Sequence, residues 1–276
     1  MAVGERFYGY FPMASHLLVQ AGKVKTHGFF DVMPHRANLP AIYNQYLNVQ
    51  QDELYEAGKE AFQAIFRPLF TTSFLLEAFM VSHDFFGATQ IVLTSASSKT
   101  AFALASLLKA YQKTSANPFK IVGLTSTNNE PFVAGLGCYD TLITYSNLPT
   151  LPQEKTVVID FAGNQTLHYD LQAHIGDNLT YNCLVGAVHW DKGTADKMPP
   201  NKGKFFFAPT HAEQFLQTWG RDVFQKRLSE AWHSFATQAS DWIHIEIAQD
   251  KNRLSEVYQT LLAGKYPAKN GFIFAH

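Results

Sequence analysis

The chain has 276 residues, a formal net charge of -1 and a hydrophobic fraction of 46%. That composition supports a sizeable core and excludes general disorder, and a charge so near zero supplies no basic field for nucleic acid. The two cysteines, Cys138 and Cys183, lie far apart without CxxC spacing, which argues against a disulfide framework or a thiolate zinc site and fits a cytoplasmic location.

The opening MAVGERFYGYFPMASHLL has no charged start ahead of a long apolar run, and no apolar stretch reads as the roughly 18 residues of a membrane span, so no membrane partner is expected. FPMASHLLVQ (11–20) reads as a strand, and DVMPHRANLPAIYNQY (31–46) as loop with prolines. Asp52 and Glu53 start a helix with negative charge at its positive end. Pro68 breaks that helix, and a second covers about 71–85. The middle of the chain then alternates. Strands are expected at TQIVLT (89–94), PFKIVGLTS (118–126), DTLITYS (140–146), KTVVIDFAG (155–163) and LTYNCLVGAV (179–188), with helices at 97–113, 129–136 and 164–175. Apolar strands separated by amphipathic helices predict βαβ units, hence an α/β fold with a doubly wound parallel sheet and a crevice at the carboxyl ends of its strands. From 191 a loop rich in Lys, Gly and Pro leads to one long helix (211–236), a strand (242–248), a helix (252–265) and a last strand (271–276). Gly264 fits a helix C′ position, with Pro267 just beyond it.

The stretch IVLTSASSKTAFALASLL (91–108) runs from strand to turn to helix without a glycine in the turn. Two readings stand. Ser97 or Ser98 is an ordinary N-cap. Alternatively, Ser95, Ala96, Ser97, Ser98, Lys99 and Thr100 form a pyrophosphate turn, with hydroxyls and an ammonium beside the helix N-terminus. The following strand ends Thr125-Ser126-Thr127-Asn128 with no acid before Glu130. An acid there selects NAD, so its absence leans towards NADP(H), although no arginine is present to clamp a 2′-phosphate and these are also ordinary turn residues. Histidines 16, 27, 35 and 83 match no common metal spacing, and no metal is expected. Asp31, His35 and Arg36 fall together in DVMPHRANL and could line a pocket. Tyr46 could serve as an acid or simply pack. His189 in GAVHWDK lies just past a strand's carboxyl end, where α/β ligands bind. Cys138 and Cys183 read as buried small hydrophobes.

Segment order carries a resemblance. GERFYGYFPMASHLLV, RPLFTTSFLL, IVLTSASSKTAFALASLL, KIVGLTSTNNEPFVAGLGCYDTLITYSNL, VVIDFAGNQTLHYDL and YNCLVGAVHW follow one another. Together they resemble the zinc-free medium-chain dehydrogenases/reductases of the quinone oxidoreductase and enoyl reductase type. They are nearer still to a bacterial family of reductase-like proteins that shares the opening segment and the SASSKTA turn. The resemblance implies pyrophosphate contacts from Ser95 to Thr100, an adenosine ribose at Thr125, Ser126 and Asn128, and Tyr145 near the adenine or 2′-phosphate. It places Phe161, Ala162, Gly163 and Gly186 beside the cofactor. Two departures stand out. The glycine pattern is gone, and reductases of this type begin with a GroES-like barrel, of which about 80 to 100 residues would precede Gly4 at ordinary domain sizes.

The expected organisation is therefore a partial catalytic-domain remnant (1–50), a Rossmann-like dinucleotide-binding domain (51–190), and a C-terminal part (191–276) completing the sheet and the catalytic remnant. The leading functional expectation is an NADP(H)-dependent oxidoreductase that moves a hydride to or from an activated C=C or C=O of a small-molecule substrate, with His189 and Tyr46 as candidate proton donors. The alternatives are a non-catalytic nucleotide-binding or sensor protein of the same fold, and an inactive fragment. Open barrel edges could drive homodimerisation.

Overall fold

The structure, a computed structural model, describes residues 1–186 and 203–275. It divides into two compact units. One comprises Met1–Arg67, Ile245–Lys265 and Gly271–His276; the other comprises Pro68–His244 and Tyr266–Asn270.

The larger unit is built on six parallel strands. β5 (Gln90–Leu93), β6 (Lys120–Thr125), β7 (Thr141–Thr144), β8 (Thr156–Asp160), β9 (Leu179–Leu184) and β10 (Gly203–Phe205) pair in the order β10-β9-β8-β5-β6-β7. Every residue of β5 and β8 is buried, as continuous apolar runs demand when helices cover both faces of a parallel sheet. Register sets Val92 beside Val122 and Val158. On that face the three valines join Leu124, Ile143 and Leu167 in one buried cluster. Counted from β5, the order is 3-2-1-4-5-6, the doubly wound Rossmann arrangement. The chain departs from β5 in one direction through β6 and β7, then returns to place β8 on the other side. The switch point therefore lies between the carboxyl ends of β5 and β8.

Several elements differ from expectation, each for a physical reason. Residues 11–20 form no strand; the strand is β2 (Ala21–Lys25), where polar and apolar residues alternate. The expected loop at 31–46 contains the last residue of β3 (Gly28–Asp31) and the first two of β4 (Gln45–Asn48). Together with β1 (Phe7–Tyr8) these make a four-stranded antiparallel sheet, β1-β4-β3-β2, in the smaller unit. Asp52 does not start a helix. Its carboxylate is held by Gln63 Nε2 and by Arg67. Helix α1 (Glu60–Ser82) instead runs unbroken through Pro68. A proline inside a helix removes one backbone bond, but Phe70 and Phe74, which follow it one turn apart on one face, are buried, Phe70 against Trp232 and Phe235. Burying such rings is worth about 1.5–3 kcal/mol each, enough to offset the lost bond. By length and composition α1 could cross a membrane, contrary to the expectation that no stretch reaches that length. Phe66, Phe70, Leu76 and Met80 are nevertheless fully buried within the protein.

The expected single helix 211–236 is two, α5 (Ala208–Trp219) and α6 (Arg221–Ala239). Gly220 at φ 79° makes the break, a left-handed conformation that glycine adopts at little cost. Residues 203 and 204, expected in the loop, begin β10 and pair with β9. The last two strands, β11 (His244–Ala248) and β12 (Asn270–Phe274), form their own two-stranded sheet. The intervening α7 (Lys251–Leu262) ends as expected. Gly264 N–H bonds the Leu261 carbonyl and Lys265 N–H that of Thr260, a Schellman closure.

One half-buried carboxyl on α1, Glu77, yields a test. Glu77 is pushed up to about 7 by burial, only partly opposed by Arg227. Its folded value exceeds the unfolded one, so the folded state holds the extra proton between about pH 4.5 and 7, and stability falls as pH rises through that window. Glu77→Gln removes the half-buried charge. It is expected to raise stability at pH 8 by about 1–2 kcal/mol, and to change it little at pH 5. Urea denaturation at the two pH values measures this; equal effects at both would contradict it.

Candidate cofactor site

The turn after β5 is fixed by backbone and side chains together. Ser95 sits at φ 47°, in the left-handed region that glycine usually supplies, at a cost of about 1–2 kcal/mol. Its N–H donates to the Tyr145 hydroxyl at 3.1 Å. Ala96 N–H donates to the Leu124 carbonyl at 2.9 Å, and the Ala96 carbonyl accepts from Tyr139 Oη at 2.8 Å. Ser98 caps helix α2 (Lys99–Gln112), its Oγ accepting from Ala101 N–H. The N-cap reading of this serine therefore holds. Ser97 Oγ accepts from Asn129 Nδ2 at 3.1 Å, across the crevice mouth from the end of β6. On the far side of α2, Ser73 Oγ of α1 donates to the Thr100 carbonyl at 2.8 Å.

Lys99 departs from its expected role. Its ammonium donates to the carbonyls of Ala268 (3.0 Å) and Asn270 (2.7 Å), fastening the Tyr266–Asn270 segment to the first turn of α2. Burial lowers it to about 8. What remains at the turn is Ser97, Thr100 and the N–H groups of Lys99 and Thr100, which lie in the first helical turn and have no intrahelical acceptor. Replacing Lys99 by Met leaves two carbonyls without donors. The expected loss is about 1–2 kcal/mol, with faster hydrogen exchange at 266–270. Because the folded amine gives up its proton first, the unfolded state binds more protons between pH 8 and 10.5, and wild-type stability rises with pH across that window. The Met variant lacks that rise. Exchange unchanged at 266–270 would rule out the fastening.

The second wall is the end of β8. Asp160 is 4% exposed, and its Oδ1 accepts from Thr94 Oγ1 (2.6 Å), Ala162 N–H (2.9 Å) and Gly163 N–H (3.3 Å). Thr94 Oγ1 in turn accepts from Phe161 N–H at 2.9 Å. This network joins β5 and β8 at the switch point and shapes the Phe161–Gly163 turn. The Asp160 carbonyl accepts from both Val185 and Gly186 N–H, at 2.9 and 3.0 Å. That brings Gly186 so close to the Phe161 backbone that an added Cβ would lie 2.4 Å from its carbonyl oxygen. Tyr145 and Ala162 pack against the same apolar cluster.

The third wall is the end of β6. Thr125 is 1% exposed and its Oγ1 has no hydrogen-bond partner among the described residues. Ser126 follows at half exposure, and Asn128 is exposed. Ser95 to Thr100, Thr125, Ser126, Asn128, Tyr145, Phe161 to Gly163 and Gly186 thus all lie at the carboxyl ends of the parallel strands or the turns that follow them. Sequence reasoning missed Thr94, Asp160, Tyr139 and Asn129. Asp160 carries a signal, as an acid that closes the apolar run Val157–Ile159.

Tyr46 is elsewhere. It belongs to the smaller unit, is fully buried, stacks on Phe29 at 5.0 Å and donates its hydroxyl to the Tyr10 carbonyl. His189 lies outside the described residues. Cys138 and Cys183 are free buried thiols; burial pushes Cys138 up to about 12 and Cys183 higher.

A family model described as "Protein of unknown function (DUF2855)" matches residues 1–267. No curated protein matches the sequence. Among solved structures, the chain is similar to a "putative NADPH:quinone reductase" from Mesorhizobium loti, at 12% identity and TM-score 0.53, over 80% of this chain and 62% of that one. It is similar to Etr1p in complex with NADP and crotonyl-CoA, at 10% identity and TM-score 0.50, over 77% and 61%. It also matches the YhdH oxidoreductase from Salmonella enterica in complex with NADP, at 12% identity and TM-score 0.48, over 74% and 61%. The chain spans about three fifths of the length of these proteins. At such identities the likeness shows the fold alone, a Rossmann-like parallel sheet.

Proposed function

The chain belongs to the family described as protein of unknown function (DUF2855), and from that premise we propose that it binds NADP(H) in the crevice at the β5/β8 switch point. The observation that carries this is the convergence of three strand ends there. The β5–α2 turn offers Ser97, Thr100 and first-turn N–H groups without an intrahelical acceptor to a pyrophosphate. Thr125, with its buried hydroxyl unmatched, Ser126 and Asn128 stand where an adenosine ribose would lie. No acid precedes Glu130 to repel a 2′-phosphate. The Phe161–Gly163 turn and Gly186 present bare backbone to the other half of the dinucleotide. Tyr145, its hydroxyl engaged by Ser95 N–H, braces the turn and offers its ring.

When bound, the cofactor would supply or accept a hydride for an activated C=C or C=O of a small substrate. The protein's part is to hold it, keep its phosphates over the α2 N-terminus and shield one face with the Phe161–Gly163 turn. Tyr46 is unsuited to proton donation, being buried with its hydroxyl already donated. His189, three residues past Gly186 in the chain, is the remaining titratable candidate.

A second reading, a nucleotide sensor without catalysis, is favoured by one observation. Lys99 and the N–H groups of Ser95 and Ala96 are engaged within the protein, which leaves the turn fewer donors than a glycine-rich one. Calorimetric titration of NADPH and NADH separates the readings when followed by NADPH oxidation with simple enones and aldehydes. Tighter binding of NADPH with turnover supports the reductase, and binding without turnover the sensor. If neither nucleotide binds, both readings fail.

A further inference from the structure

The smaller unit holds a groove of about 540 Å³, a volume that suits a small molecule. Two of the three residues that stood together in DVMPHRANL, His35 and Arg36, are on its wall, with Tyr10, Phe11, Leu39 and Tyr43. The Tyr10 and Tyr43 rings are 5.2 Å apart and inclined at 58°. Phe11 is 53% exposed.

Arg36 is held rigidly. Its Nε donates to Asn44 Oδ1 at 3.0 Å, its Nη2 donates to the Tyr43 carbonyl, and Asn44 Nδ2 donates back to the Arg36 carbonyl at 2.9 Å. Asp31 Oδ2, buried and otherwise without a hydrogen-bond partner among the described residues, lies 3.6 Å from Nε. The ion pair is thus on the inner edge of the guanidinium. Among the described residues Nη1 has no acceptor, and no hydrogen bond engages the His35 ring. A guanidinium fixed in this way presents charge-assisted donors at no further ordering cost. The aromatic walls beside it favour a flat apolar body over a branched or saturated one.

We propose that this groove is a binding site for a small planar aromatic carboxylate, with its ring against Tyr10 and Tyr43 and its carboxylate on Arg36 Nη1 and His35. The proposal does not rest on the nucleotide reading, because it uses none of the residues assigned to that site.

The probe is 2-naphthoate, titrated calorimetrically into the full chain without nucleotide. 2-Naphthamide tests the need for the charge, and cyclohexanecarboxylate the need for a flat ring. Saturable one-to-one binding of 2-naphthoate is expected, with both comparison compounds at least about tenfold weaker. Leu39→Trp fills the groove from an exposed position, 45% exposed in the native chain, and should remove binding without lowering the melting temperature. His35→Ala should weaken it severalfold. Absence of saturable 2-naphthoate binding, equal affinity for the amide, or full binding by a folded Leu39→Trp variant each overturns the proposal and leaves the nucleotide reading as it stands.

Discussion

Asp160→Ala is expected to destabilise the protein by about 3–5 kcal/mol and to abolish nucleotide binding. The carboxylate is buried and accepts from one hydroxyl and two backbone N–H groups. Each buried donor left without an acceptor costs about 1–3 kcal/mol, and here three lose one acceptor together. Thr94 Oγ1 still accepts from Ala162 N–H at 3.2 Å, which holds the sum below three full penalties. Asp160→Asn keeps an oxygen at the same place, so its loss should be less than half as large. Chemical denaturation of the two variants measures the difference. Equal losses would mean that shape rather than hydrogen bonding matters at this position.

Gly186→Val is expected to cost about 3 kcal/mol or more, through backbone displacement rather than lost contacts. A Cβ at this position meets the Phe161 carbonyl oxygen at 2.4 Å and its carbon at 2.8 Å. Those are backbone atoms, held in turn by the Asp160–Thr94 network, so neither side can yield cheaply; overpacking a constrained site costs about 1–3 kcal/mol and occasionally more. The displaced Phe161–Gly163 turn should lower NADPH affinity even where the variant folds. Gly137 provides the control, since an added Cβ there meets nothing within 4 Å. Its φ is +66°, so Gly137→Ala carries only the conformational penalty of about 1 kcal/mol. A Gly186→Val variant as stable as Gly137→Ala would show that the close approach does not matter.

Much of the larger unit is legible in the sequence because its signals are local. β5, β6, β8 and β9 are short apolar runs bounded by turns, and their alternation with α2 and α4 (Gln165–Ile175) dictates a parallel sheet. What escaped depends on partners distant in the chain. Pro68 stops a helix by local rules, but α1 continues because Phe70 and Phe74 are buried among rings from α5 and α6. Gly220 lies in a helical pattern on both sides, so only its left-handed φ reveals the corner between α5 and α6.

The candidate site divides in the same way. Ser98 as N-cap and the acid-free end of β6 follow from composition. The role of Lys99 does not: its partners are 169 and 171 residues away, and a lysine beside serines suggests a phosphate ligand until those carbonyls are seen. Thr94 and Asp160 are 66 residues apart, and only strand pairing brings them together. The turn thus replaces the bare backbone of glycines with a mixed device, in which Ser95 takes the strained conformation, Tyr145 and Leu124 absorb two N–H groups, and Ser97 stays at the mouth.

That division makes Ser97 the decisive position. Nucleotide phosphate bound in the crevice would lie against it, so a carboxylate there should repel the ligand while a methyl should not. Calorimetric titration of NADPH into Ser97→Glu, Ser97→Ala and the native chain is the direct measurement. The predicted result is affinity lowered at least about tenfold by Glu and within about threefold of native for Ala, like-charge repulsion at a partly buried site being worth 1.4 kcal/mol or more. NADPH binding of native strength in a folded Ser97→Glu variant, or no NADPH binding by the native chain, would contradict the assignment of the β5–α2 turn as the nucleotide site.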